Sequence, residues 1–166
     1  KYQVEPDEEY NEITLHIRFK ETDAKLQQET LGILGVNLIY GAYYKYNDPK
    51  KLLRYLYDHL DKDQLEIDTI NFSGPRFANV DNRLMSLQLV KNGMTDAVMF
   101  GPDGKNILPA AILYKKNILA LRGSFRPVTQ VNMDMYEKSL KMFLDESKVD
   151  KDNALVIFEI TLSNLR

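Results

Sequence analysis

Residues 12–19, EITLHIRF, set Ile13, Leu15, Ile17 and Phe19 in alternation with Thr14, His16 and Arg18. A period of two predicts a strand with one buried face. Thr22 and Asp23 stand where a helix needs its cap, and the apolar pattern through Leu26, Ile33 and Leu34 carries that helix toward Tyr44. NDPKKLLRYLYDHLD predicts an amphipathic helix: Asp48 caps it, Pro49 takes the first helical position, and Leu53, Leu56, Tyr57 and Leu60 share one face. LEIDTINF reads as a second strand, ended by Gly74 and Pro75 in SGPRF. A helix is expected from about residue 81 to 91, closing at Asn92 and Gly93, where the left-handed cap conformation is accessible. AVMF and NILP flank GPDG as a hairpin. Beyond it, Pro109 starts a short helix through Tyr114 and NILAL is a strand. MDMYEKSLKMFL gathers Tyr136, Leu140, Phe143 and Leu144 on one helical face, and ALVIFEITL closes the chain as a strand.

Strands that alternate with helices predict an α/β chain in layers, with a mostly parallel or mixed sheet. Residues 1–9, KYQVEPDEE, are acidic and aperiodic and are expected to form a linker or mobile arm, leaving residues 10–166 as a single α/β domain. A weak internal repetition overlies the alternation. Three strand-loop-helix units carry arginine in the loop, and the second and third loops are the more alike, SGPRF against GSFRP.

Composition narrows the function classes. The 166 residues hold no cysteine, which excludes disulfides, thiolate metal sites and cysteine nucleophiles and suits a reducing cytoplasm. With 22 basic and 24 acidic residues the net charge is −2, so neither nucleic acid nor an anionic membrane is an expected partner. Residues 31–44 are the most apolar stretch, yet Gly32, Gly35, Asn37 and Gly41 interrupt it and it is too short to span a bilayer; it reads as a buried helix. The absence of an initiator methionine and of a signal-peptide pattern at Lys1 leads to the expectation of a domain from a longer protein.

Loops that leave a strand and enter a helix are where α/β proteins hold anions, because helix N-termini present unpaired N–H groups there. Ser73, Gly74 and Arg76 lie in one such loop, with Arg83 in the helix beyond it; Arg122, Gly123, Ser124, Arg126 and Thr129 lie in another. Glycine permits close backbone approach, hydroxyls donate, and guanidinium matches phosphate or carboxylate. The competing reading is that these residues turn the chain while the arginines pair with Asp81, Asp134 or solvent. His16 and His59 fall on polar faces, far apart in sequence, and a surface role is expected for both. No metal site and no catalytic constellation is expected. Six of the ten tyrosines crowd residues 40–57, and Tyr40, Tyr43, Tyr44 and Tyr55 are the expected contacts with another domain or subunit.

The stretch LRGSFRPVT resembles the opening of the nicotinate-nucleotide adenylyltransferase family, a strand followed by a G-S-F-D-P-x-H-x-G-H loop and a helix. Gly123, Ser124, Phe125 and Pro127 match; Arg126 stands at the aspartate, Thr129 at the first histidine, and Val131 and Asn132 at the following glycine and second histidine. That resemblance implies adenylyl transfer to nicotinate mononucleotide, with ATP and Mg²⁺ required and Ser124 and Thr129 at the phosphates. Over nearly its whole length, through LGILGVNLIYGAYY, IDTINFSGPRFANVDNRLMSLQLV and ILYKKNILALRGSFRPVT, the chain also resembles the C-terminal part of a family of longer bacterial proteins. Its members are labelled nicotinate-nucleotide adenylyltransferase or TonB-dependent receptor. The resemblance implies a domain that works beside the rest of a larger protein. Taken together, the expectation is a cytoplasmic α/β domain that binds a nucleotide or other anionic small molecule and packs against a partner domain or a second copy. A nucleotidyltransferase and a structural oligomerisation domain are the alternatives.

Overall fold

The alternation of the first strand is realised in an antiparallel pair with a built-in correction. In a computed structural model that describes residues 1–165, strand β1 (Glu12–Phe19) runs antiparallel to β2 (Leu65–Ser73). Ile13 faces Phe72, Leu15 faces Ile70, Ile17 faces Ile67 and Phe19 faces Leu65. The apolar positions of β2 change parity halfway, from 65 and 67 to 70 and 72, so a regular strand would turn one pair outward. A bulge absorbs the change: the register shifts between His16 and Ile17, leaving Asp68 as the extra residue. All four apolar residues of β2 therefore reach the core.

Helix α1 (Ala24–Tyr44) begins at Asp23, whose carboxylate accepts the N–H groups of Lys25 and Leu26 at 2.9 and 3.0 Å. Helix α2 (Pro49–Tyr55) follows, capped by Asp48 as expected. It ends earlier than the apolar pattern through Leu60 predicts. The reason lies in α1: the buried Asn37 amide donates to the carbonyls of Leu56 and Asp58 at 3.0 and 2.7 Å, taking two acceptors a longer helix would use, and His59 turns into the left-handed region at φ 57°. Leu52, Leu53, Leu56 and Leu60 remain buried against Leu34 and β2.

Beyond β2, residues Pro75–Phe77 form a 3-10 turn that leads to α3 (Asn82–Lys91), capped by Asp81. The Asn82 side chain binds Phe72 on both sides, accepting its N–H at 2.8 Å and donating to its carbonyl at 3.0 Å, in place of a further strand. A small hairpin of β3 (Met99–Phe100) and β4 (Asn106–Ile107) stands where GPDG predicts one. The terminal segment is tied in by Tyr2, which exchanges backbone bonds with Asn11 at 2.9 and 2.8 Å and donates its hydroxyl to the Ala42 carbonyl. The tie is made at Tyr2, within residues 1–9, for which a linker or mobile arm is expected.

Helix α4 (Pro109–Leu113) opens the remainder. Strand β5 (Asn117–Arg122), helix α5 (Gln130–Asp145) and strand β6 (Ala154–Glu159) make a βαβ unit whose two strands are parallel. The chain thus mixes helices and strands as expected, but among the described residues the strands form three two-stranded sheets, two antiparallel and one parallel. Where one domain over residues 10–166 is expected, the chain divides into two compact units, Lys1–Leu108 and Pro109–Arg166.

Candidate functional site

Each arginine loop takes its shape from nearby packing. In the first unit, Gly74 has φ 99° and a side chain there would press on the Asn11 Cα at 2.7 Å, so glycine is required. The buried Asn11 side chain accepts the Arg76 N–H at 2.8 Å and fixes the turn. The Arg76 guanidinium lies over the Tyr46 ring, 3.8 Å from its centroid, beside Tyr2. Burial raises the Tyr2 phenol above its ordinary value, and the Arg76 charge offsets part of that. Among the described residues Arg76 forms no ion pair with a carboxylate. Ser73 is exposed at the end of β2. Arg83, by contrast, grips Asp81 through Nε and Nη2 at 3.3 and 3.0 Å, and its hydrogen bonds hold the Asp81 carboxyl below the usual range.

The second loop belongs to the second unit. Arg122 lies level with Glu159 on the parallel neighbour and donates to it at 2.7 Å, while the Gly123 N–H reaches the Glu159 carbonyl. Phe125 turns at φ 48° and sets its ring edge-on to Phe158, at 5.2 Å between centroids. A Cβ on Gly123 would meet that ring at 3.0 Å. Arg126 donates to the Leu165 carbonyl, and Ser124 is exposed. Thr129 caps α5, and Asn132 returns the contact by accepting the Thr129 N–H at 2.9 Å. The two positions where the adenylyltransferase signature carries histidine are therefore two halves of one helix cap.

Ser73, Gly74, Arg76 and Arg83 fall in one unit, and Arg122, Gly123, Ser124, Arg126 and Thr129 in the other. Arg83 pairs with Asp81, one of the partners the competing reading names, whereas Arg122 pairs with Glu159, which it does not name. Two open hollows, one at Glu21 and Asp61–Gln64 and one between Lys45 and Asp58, include none of the nine residues. Across β1 and β2 His16 pairs with Asp68 at 2.7 Å, and Arg18 pairs with Glu66, which also accepts the Thr95 hydroxyl at 2.6 Å. Among the described residues no group of three or more His, Asp or Glu could hold a metal ion, and no helix is long and apolar enough to cross a membrane.

The tyrosines expected at an interface pack in two clusters. Tyr40 stacks against Tyr44 and Tyr55 with centroids 4.8 and 5.0 Å apart, the Lys45 ammonium lies over Tyr40 and Tyr55, and Tyr43 packs on Tyr2 at 5.2 Å. Tyr40, Tyr43 and Tyr44 are exposed, whereas Tyr55 is half-buried. They are one end of a larger surface. Residues 31–44 are expected to form a buried helix, yet in α1 only the side carrying Thr30, Leu34, Asn37, Gly41 and Ala42 is buried; Val36 and Ile39 are 67% and 63% exposed. Gly32 and Gly35 lie on the same outer side, with open space around a Cβ placed on either. The missed signal is the lack of any charged residue from Thr30 to Tyr44: a helix apolar all round needs cover all round. Compared with known proteins, the chain matches no family model, no curated protein and no solved structure.

Proposed function

We propose that this chain is an association module whose contact surface is the outer face of α1. One observation carries the reading: an uncharged run of fifteen residues, Thr30 to Tyr44, exposes Val36, Ile39 and three tyrosines whose rings are already held by neighbours. Tyrosines fixed before contact lose little side-chain freedom on binding, which favours them as interface anchors. A cytoplasmic location, a layered α/β body built from related strand-loop-helix units and a place within a longer bacterial protein belong to the same proposal.

The chain lacks cysteine, so one introduced thiol reports on the face. In cells expressing the protein, Val36→Cys should react with a maleimide at least ~10-fold more slowly than Val131→Cys on exposed α5, and both should react alike in urea. Equal reactivity in cells would remove the reading.

One observation favours a second reading, anion binding at the first loop: Arg76 is stacked on Tyr46 and, among the described residues, has no carboxylate partner, and the exposed Ser73 lies in the same loop. Stacked guanidinium keeps its edge donors free for phosphate or carboxylate. Inorganic phosphate or a nucleotide should then raise the melting temperature, and Arg76→Ala should abolish the rise. Adenylyl transfer, with ATP and Mg²⁺, is the enzymatic alternative. Mutual capping of Thr129 and Asn132 offers it no acid, so product from ATP and nicotinate mononucleotide would be needed to sustain it.

A further inference from the structure

We infer that the hollow between the end of α1 and helix α2 is a binding site for a small phosphate-bearing anion, held by Lys45, Lys51 and Arg54. The inference goes beyond the association reading, and it is separate from the Arg76 loop, none of whose residues lines this hollow. The walls are Lys45, Lys51, Arg54, Tyr55, Tyr57 and Asp58, around an open volume of about 420 Å³, a size usual for small-molecule sites. Three cations meet one carboxylate there, in a chain whose net charge is −2.

How each charge is held carries the step. Among the described residues neither Lys45 nor Arg54 forms an ion pair, and Asp58 pairs with none of the three cations. Half-buried Lys45 is placed by aromatic rings instead, its ammonium 5.7 and 5.8 Å from the Tyr40 and Tyr55 centroids. A cation positioned in this way keeps its N–H donors for a ligand. Lys51 has Asp48 at 3.7 Å, but that carboxylate also caps α2 by accepting the Lys51 N–H at 3.1 Å. Burial, and after it the Asp58 charge, raise the Tyr55 phenol above its ordinary value, which puts the one carboxylate of the hollow on the Tyr55 side. Lys51 and Arg54 stand three residues apart and so share one side of α2, while Lys45 arrives from the end of α1. Cations from two elements suit the tetrahedral oxygens of phosphate, which Arg meets with a fork and Lys with a point charge.

Titration of the full chain with inorganic phosphate, pyrophosphate and ADP, followed through the backbone amide shifts by NMR, tests the inference. Saturable shifts are expected at Lys45 and across residues 51–58. Arg54→Gln, at an exposed position, should weaken pyrophosphate at least ~10-fold, as loss of a charged hydrogen-bond donor does. Lys45→Met, which keeps an apolar stem on the rings, should weaken it as well. Arg76→Ala should leave the affinity within about 2-fold, because distant sites act independently. Equal affinity for all three probes would make the phosphate group alone the ligand, and tighter binding of ADP would assign the same site to nucleotides. Shifts confined to residues 73–77 or 122–130, an affinity indifferent to Arg54→Gln, or no saturable shift up to about 10 mM would overturn the inference. None of these results touches the association reading, which stands or falls on Val36.

Discussion

Among the described residues, Lys1–Leu108 holds every buried apolar side chain except one, and Pro109–Arg166 contributes Leu121 alone. Each unit has one main strand pair, β1 with β2 and β5 with β6, and the small β3–β4 hairpin belongs to the first. Sidedness separates the two main pairs. In the first unit a bulge turns all the apolar residues of β2 to one face, and α1, α2 and α3 supply leucines to meet them. In the second, the parallel pair is apolar on both faces: Leu119, Leu121, Val156 and Phe158 on one, Ile118, Ala120, Leu155 and Ile157 on the other. Parallel sheets keep such strands by covering both sides. Helix α5 offers one cover, through Tyr136 near Phe158, and none of its own residues is fully buried.

The comparison predicts unequal stability, and core truncation is its strongest test. Leu52→Ala removes a fully buried side chain beside Gly41 and should cost about 2–5 kcal/mol. Leu155→Ala, half-buried on the second unit's open face, should cost about 1 kcal/mol or less. Denaturant unfolding of both variants, with hydrogen exchange to locate the loss, checks this; the amides of β5 and β6 should exchange before those of β1 and β2. Equal costs, or late exchange in β5, would break the contrast.

Next in size is Asn37→Ala. It strips the Leu56 and Asp58 carbonyls of their donor in a buried position and should cost about 1–3 kcal/mol. Protection should fall first between residues 52 and 60. A loss confined to α1 would show that Asn37 acts through its own helix and not by ending α2.

That contact also marks how far the sequence could be read. Caps at Asp23 and Asp48 and the alternation of β1 are local signals, and each element begins where its signal puts it; the caps at Asp81 and Thr129 are as local, yet those residues are expected in other roles. The end of α2 depends on a side chain nineteen positions away, which no local pattern carries. The bulge is different: the parity change in LEIDTINF is visible in the sequence once two buried halves are assumed. For the candidate site, the residue types in both loops were legible and their partners only in part. Asp81 is a near neighbour of Arg83, whereas Glu159 reaches Arg122 through strand register across 37 residues. Gly74 and Arg76 were recognisable as a turn, yet Tyr46 and Asn11, which hold them, come from other elements.

Titration sharpens the contrast further, because the groups with buried contacts sit in the first unit. Burial raises the Glu66 carboxyl, but hydrogen bonds from Thr95 and Arg18 and the Arg18 charge outweigh it and hold it below the usual range. As pH falls, the unfolded chain takes up this proton first, so stability present at neutral pH is lost through the carboxylate range and below it. Glu66→Gln should flatten that acid slope. Burial pushes the Tyr57 phenol up to about 12. The folded state then keeps a proton that the unfolded chain releases near 10, so stability falls as pH rises from about 10 to 12. Tyr57→Phe should remove that alkaline loss. An acid slope unchanged by Glu66→Gln would mean that carboxylates elsewhere control it.

The smallest expected effect separates two roles for Thr129. As a cap, its hydroxyl satisfies the first turn of α5, and Thr129→Ala should cost about 1 kcal/mol, read in the second unit. Thr129→Asp keeps a capping oxygen and adds a charge favourable at a helix N-terminus, so stability should hold or rise by a few tenths of a kcal/mol. The same charge would repel a phosphate placed there. If Thr129 serves α5 alone, Thr129→Asp leaves any nucleotide-induced rise in melting temperature unchanged and stability equal or slightly higher. If it serves an anion, Thr129→Asp abolishes a nucleotide-induced rise in melting temperature while leaving the fold intact. Because capping and phosphate binding use the same N–H groups at the start of α5, they compete, and the aspartate variant tells which one the helix terminus supports.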